Sequence, residues 1–131
     1  MQTKPTLYLL FNHKLTKQQE EDAYLSLGVE RIVYLPNSLL DIWKNISPHK
    51  RYLKDLLYPI YSYMYSRCTK GDYILIQGDS GATYQVVQKA FSLKLKPIYA
   101  TTERKAVEKR VEGKNIKTSV FEHVIYREYG E

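Results

Sequence analysis

Apolar positions recur along this chain with two periods, and the alternation between them predicts its elements. Thr6 to Phe11 is a short apolar run and predicts a strand. The segment HKLTKQQEEDAYLSLG follows. In it Thr16, with Gln19 three places on, forms a capping box, and Gly28 supplies a stop, so a helix lies between them. RIVYL, Arg31 to Leu35, is a second strand closed by Pro36. Leu39, Leu40, Ile42, Trp43 and Ile46 then fall on one helical face, and Pro48 breaks that helix. A longer helix is expected over Lys50 to Arg67, with Leu53, Leu56, Leu57, Ile60 and Met64 as its buried stripe. Pro59 lies inside it and is expected to kink or split it near Tyr58.

GDYILIQ is a third strand, apolar on consecutive positions, as expected where both faces are covered. Val86, Val87, Ala90 and Phe91 form the inner face of the next helix, and PIYA, Pro97 to Ala100, is the fourth strand. The remaining stretch carries a turn at Glu112-Gly113-Lys114-Asn115 between two runs of strand-like pattern. It predicts a β-hairpin, with a helix over Arg104 to Val111 as the alternative. This order is that of an α/β protein. Right-handed crossovers of these lengths give a mostly parallel sheet ordered 2-1-3-4 with helices on both faces, a single Rossmann-like domain over residues 1–131. The C-terminal hairpin would extend one edge or reach out to a partner.

Composition sharpens this only in part. The chain has 131 residues and is 44% apolar, enough for one domain with a real core. A single cysteine, Cys68, excludes an internal disulfide and suggests a reducing cytoplasm. The apolar run near the start is too short for a signal peptide or a membrane span. A net charge of +6 favours an anionic partner such as a nucleotide or nucleic acid. Direct DNA binding is not expected, because acids are interspersed with the bases and no recognition helix is evident. Tyrosine dominates the aromatics, 13 against three Phe and one Trp. Tyr stacks on bases and hydrogen-bonds at wet boundaries, and it equally lines dimer interfaces.

In a sheet ordered this way ligands lie at the carboxyl ends of the strands, where the winding reverses. Two loops meet there, Asn12-His13-Lys14-Leu15-Thr16 and Gln77-Gly78-Asp79-Ser80-Gly81. The second has the chemistry of a phosphate site: glycines for close approach and positive φ, Asp79 or Ser80 as a cap, and an uncluttered first helical turn at Gly81, Ala82 and Thr83. It is neither a Walker loop nor a dinucleotide fingerprint. The same turn also serves purely structural ends. Thr101, Thr102 and Arg104, following the fourth strand, bring two hydroxyls and a guanidinium toward the same rim. Of the histidines, His13 is positioned for acid–base work or for simple hydrogen bonding. His49 follows Pro48 in an exposed turn. His123 has no second ligand at metal spacing. No metal and no cofactor are expected.

The segments LFNHKLTKQQEEDAYLSLGVERIVYLP, GDYILIQGDSGATYQVVQKAF, PIYATTER and FEHVIYREY resemble a small stand-alone family of type III CRISPR-associated ring nucleases of the Csx type, related to the Rossmann-like CARF sensor domains. The likeness runs over nearly the whole chain. It implies a homodimer that binds cyclic oligoadenylate, in particular cyclic tetra-adenylate, and opens the ring to linear di-adenylate, ending the antiviral signal. Carried over, the binding positions are Asn12, His13, Gln77, Gly78, Asp79, Ser80, Gly81, Ala82, Thr83, Thr101, Thr102 and Arg104.

Such a cleavage needs no metal, because the ribose 2′-hydroxyl can attack its own phosphorus once it is placed in line and the growing charge is stabilised. On that chemistry Arg104 is assigned to the phosphorane and His13 to proton transfer. Asp79 is assigned to a ribose, with capping as its alternative role, and Thr83 and Gln77 to phosphate and adenine. The same cleft would equally suit a protein that binds the ring and never cuts it, or a sensor acting on a separate partner.

Overall fold

The structure, a computed structural model, describes residues 3–131. β1 (Thr6–Leu10) is an inner strand of a five-stranded sheet ordered β2-β1-β3-β4-β5. It pairs in parallel with β2 (Arg31–Tyr34) on one side and β3 (Tyr73–Ile76) on the other, and β3 pairs in parallel with β4 (Lys96–Val111). β5 (Lys114–Glu128) closes the edge antiparallel to β4. The 2-1-3-4 order expected from the sequence is therefore the order observed, with the hairpin extending one edge.

Period-two alternation explains how one strand feeds two cores. Tyr8 and Leu10 of β1, with Ile74 and Ile76 of β3, pack beneath α2 (Asn37–Lys44), α3 (Lys54–Arg67) and α4 (Ser80–Ser92). Leu7 and Leu9, with Leu75 and Ile98, face the opposite side, where Leu15, Ala23 and Val29 flank α1 (Lys17–Asp22). Burial of each such leucine or isoleucine is worth about 1.5–3 kcal/mol. α1 begins at the expected capping box, Gln19 N–H donating to Thr16 Oγ1 and Thr16 N–H to Gln19 Oε1. It winds on through a π-helical turn, Ala23–Leu27, to Gly28 at φ 65°.

Several expectations are corrected. α3 starts at Lys54 rather than Lys50, and Pro59 does not split it. The bond Pro59 forfeits would have gone to Asp55 in the first turn, so the cost falls where the helix is anchored by Leu57 and Ile60 beyond it. Phe91 is not on the inner face of α4 but 43% exposed, its ring lying against Gly130. β4 does not end at Ala100. It runs on to Val111, and the helical alternative for Arg104–Val111 loses because each residue there has a cross-strand partner. Glu112 and Gly113, at φ 52° and 77°, form the two-residue turn. Beyond Ile98, β4 leaves β3 and pairs only with β5, so Thr102–Val111 and Lys114–His123 make a free two-stranded ribbon, roughly 30 Å long at ~3.3 Å per residue.

Candidate functional site

The tips of β1 and β3 lie side by side at the carboxyl edge, where the Gln77 N–H donates to Leu10 O at 3.2 Å. Gln77 is fixed on every side. Its carbonyl accepts from Trp43 Nε1 at 2.8 Å, and its side-chain Oε1 accepts the Ala100 N–H at 2.9 Å, bridging β3 to β4 beyond their paired residues. The Nε2 hydrogens remain for a ligand. The adjoining Gly78 is small for a reason other than the one expected. Its φ is not positive; a Cβ there would lie 2.5 Å from Nε1 of the buried Trp43. Gly81 is not at positive φ either, and a Cβ on it would meet only Asp79 Oδ2, at 3.6 Å.

Asp79 caps α4, its carboxylate accepting the Ala82 N–H at 3.0 Å. Its carbonyl accepts the Thr83 N–H at 2.8 Å. The Ser80 and Gly81 amides, at the first positions of the helix, have no acceptor among the described residues. Ala82 is fully buried, so its side chain belongs to the core. Thr83 Oγ1 is closed off from solvent and has no hydrogen-bond partner among the described residues. A buried polar group left so costs about 1–3 kcal/mol until something bonds it. Gln77, Gly78, Ser80 and Thr83 line a cleft of about 490 Å³ together with Tyr84, Tyr99 and Tyr129. Tyr84 is 67% exposed and presents an open ring. Tyr129 donates to Ile76 O at 2.6 Å, and burial pushes its phenol up from the usual value. Arg127 Nη1 donates to the Tyr99 hydroxyl at 3.2 Å.

The loop after β1 opens onto different cavities. Asn12 and His13 line one of about 340 Å³ with Tyr34 and Lys44. Asn12 Oδ1 is buried there with no partner among the described residues. His13 is exposed, its ring edge-on to Phe11. His13 and Lys14 also line a smaller cavity of about 280 Å³ with Thr102, Phe121 and His123. The buried His123 pairs through Nε2 with Asp22 Oδ2 at 2.7 Å. Burial works to raise the Asp22 carboxyl, but the Ser26 hydroxyl and His123 outweigh it and hold Asp22 below the usual aspartate value.

The residues expected at one rim therefore divide. Gln77, Gly78, Ser80 and Thr83 converge on the tyrosine-lined cleft, whereas His13 and Thr102 meet in the histidine-lined cavity. Thr101 is spent inside the sheet: its hydroxyl donates to Ile125 O and accepts the Ile125 N–H, both at 3.1 Å, beside a register shift in the β4–β5 ladder. Arg104 stands on the ribbon, not at a strand end. Its Nε donates to Ser119 Oγ at 2.9 Å, and it lies opposite Phe121, on the face shared by Thr102 and His123. It lines neither the tyrosine-lined cleft nor the histidine-lined cavity.

Asp22, Phe121 and His123, together with Tyr84, Tyr99 and Tyr129, were missed as site residues. A signal for His123 was present, because counting outward from a two-residue turn at Glu112-Gly113 sets Thr102 opposite His123. Nothing comparable brings Asp22 to it.

Other chemistry is limited. Burial, with Asp72 behind it, pushes the Cys68 thiol up to about 12, too high for a nucleophile at neutral pH. Among the described residues no group of three or more His, Cys, Asp or Glu is placed to hold a metal, and no helix is long and apolar enough to cross a membrane. A larger cavity, about 650 Å³, lies at the amino-terminal edge of the sheet around Asp72. That carboxylate is engaged by the Thr6 and Thr69 amides and ties the strand entries together.

Compared with known proteins, residues 5–127 match the family described as "Uncharacterized protein MJ1673 family". The chain is 42% identical over 125 residues to "Uncharacterized protein MJ1673" of Methanocaldococcus jannaschii, covering 95% of this chain and 97% of that protein. No solved structure matches.

Proposed function

The chain belongs to the MJ1673 family, and we propose that it is a metal-independent ring nuclease. In this reading it binds cyclic tetra-adenylate, cleaves it to linear di-adenylate with 2′,3′-cyclic phosphate ends, and so switches off type III CRISPR signalling in the cytoplasm. The observation that carries the reading is the pairing of two unlike cavities at adjacent strand tips, one rich in free amides and tyrosine faces, the other in histidines.

The tyrosine-lined cleft suits one adenylate. Its volume of about 490 Å³ falls within the range of small-ligand sites, roughly 300–1,000 Å³. The base stacks on Tyr84 or Tyr99, and Gln77 Nε2 donates to a ring nitrogen. The Ser80 and Gly81 amides and the Thr83 hydroxyl take the phosphate at the start of α4. His13 and Arg104 stand on the other side, where the scissile phosphate is handled. The 2′-oxygen forms the new bond to phosphorus, the bond to the 5′-oxygen breaks, and the 2′-hydroxyl proton is removed while one is supplied to the leaving oxygen.

A four-fold ring is suited to a two-fold dimer in which each subunit grips half. The ribbon supports a second copy as the partner. A bare two-stranded ribbon is marginal in water. Val107, Val111, Ile116 and Val120 share its face turned away from His123. Ile116→Glu with Val120→Glu is expected to halve the mass measured by light scattering, and an unchanged mass removes the ribbon from the interface.

One observation favours the binding-only alternative: Asp79 and Arg104 are already engaged, by the Ala82 N–H and Ser119 respectively. Labelled cyclic tetra-adenylate incubated with the pure protein and EDTA separates the two. Linear product in excess over protein supports the nuclease; intact ring in a tight complex supports the binder; neither binding nor cutting overturns both.

A further inference from the structure

The pair of partly buried Asp22 and buried His123 has no part in the assignments above, yet His123 lines the histidine-lined cavity with an acceptor to spare. The Asp22 carboxylate can only accept, so His123 Nε2 carries the proton of their 2.7 Å hydrogen bond. In the neutral ring Nδ1 is then the bare lone pair. That atom is closed off from solvent and has no partner among the described residues, although the residue is only 7% exposed. The ring is also held in plane and depth. Tyr126 packs against it with ring centroids 4.7 Å apart and is itself tied to Gln19 O at 2.8 Å. A purely structural histidine would not need its second nitrogen left without a partner in the wall of the cavity lined by His13, Lys14, Thr102 and Phe121.

We propose that His123 is the general base of the ring-opening reaction and that Asp22 is its positioning residue; the proposal rests on the ring-nuclease reading. A ribose 2′-hydroxyl is the donor that Nδ1 lacks. Nδ1 takes its proton, the 2′-oxygen bonds phosphorus, the bond to the 5′-oxygen breaks, and protonated His13 across the cavity returns a proton to that oxygen. Asp22 holds the tautomer and stabilises the imidazolium that forms. Phe121, 70% exposed and on the same ribbon face, supplies a stacking surface for the base attached to that ribose.

The test uses single-turnover cleavage of labelled cyclic tetra-adenylate, with ring binding and thermal melting measured alongside. His123→Gln keeps a donor to Asp22 at the Nε2 position and removes only the base. It is expected to slow cleavage at least about 100-fold with binding changed little.

Asp22→Asn is expected to lower the single-turnover rate with ring binding unchanged, because the carboxylate that fixes the tautomer and orientation of the ring is gone, and Asp22→Glu is expected to recover part of the rate. The other groups facing the ring are Tyr126 on its own strand and His13 and Lys14 in the loop after β1, and none of them is altered in that variant. A folded His123→Gln protein cutting at the wild-type rate overturns the proposal and leaves the nuclease reading standing, as does an unchanged cleavage rate in Asp22→Asn. Wild-type protein that binds the ring without cutting overturns the nuclease reading itself.

Discussion

The turn after β3 and the cavity beside His123 occupy neighbouring strand tips, yet they spend their polar groups in opposite ways. In the turn nearly everything is engaged inside the protein: the Gln77 amide, carbonyl and side-chain oxygen, the Asp79 carboxylate and the Ala82 and Thr83 amides all have partners. What remains unpaired among the described residues is small and rigid: the Ser80 and Gly81 amides, the Thr83 hydroxyl and the Gln77 side-chain nitrogen. In the cavity the loop side chains are exposed, and a buried imidazole keeps one nitrogen unmatched. A satisfied scaffold holds a ligand in place, whereas an unsatisfied group can exchange a proton with it.

The comparison breaks most severely at Trp43. Trp43→Ala removes a side chain that is 1% exposed and the donor to Gln77 O, so a loss of about 3–5 kcal/mol is expected in denaturant unfolding. Gly78→Ala drives a methyl group into the same indole and is expected to cost about 1–3 kcal/mol. Asp79→Ala removes the α4 cap for about 1 kcal/mol. If its role is capping alone, ring cleavage per folded molecule stays at the wild-type level.

On the cavity side the effect is smaller and depends on pH. Asp22 is held below the usual aspartate value of 3.8, so its contribution is complete above that value and is lost as pH falls through the lowered one. Asp22→Asn should flatten acid unfolding in that window and leave the alkaline side unchanged. Least disruptive is Gly81→Ala, whose methyl meets only Asp79 Oδ2, at an ordinary contact distance of 3.6 Å, and which is expected to stabilise by up to about 1 kcal/mol. Weaker ring binding in that variant would mark the α4 amides as the phosphate seat.

The legible part of this protein was its local grammar. The capping box at Thr16 and Gln19, the stop at Gly28 and the entries of β1 at Thr6 and β2 at Arg31 are set by neighbours a few residues apart. They survive into the structure because nothing distant opposes them. The adjacency of the β1 and β3 tips also followed, since right-handed crossovers leave few ways to wind the chain.

The site was legible only where a loop supplied it. Asn12, His13, Gln77, Ser80 and Thr83 lie on loops or at a helix start. Thr101 and Thr102 read as a strand end only where β4 stops at Ala100, whereas β4 runs on through them and Arg104 to Val111. Strand pairing with β5 gave those residues partners that no local pattern reveals.

By itself, then, the chain determined its α/β order, its doubly covered central strands and the turn from β3 into α4, because these depend on periodicity and on short-range backbone geometry. Only the tertiary structure decided that Gly78 exists for Trp43, that Arg104 faces Phe121, and that Asp22 meets His123 across 101 positions of sequence. Contacts of that kind depend on how the layers settle against one another. The energy of a side chain there is set by its neighbours in space, and the sequence does not name them.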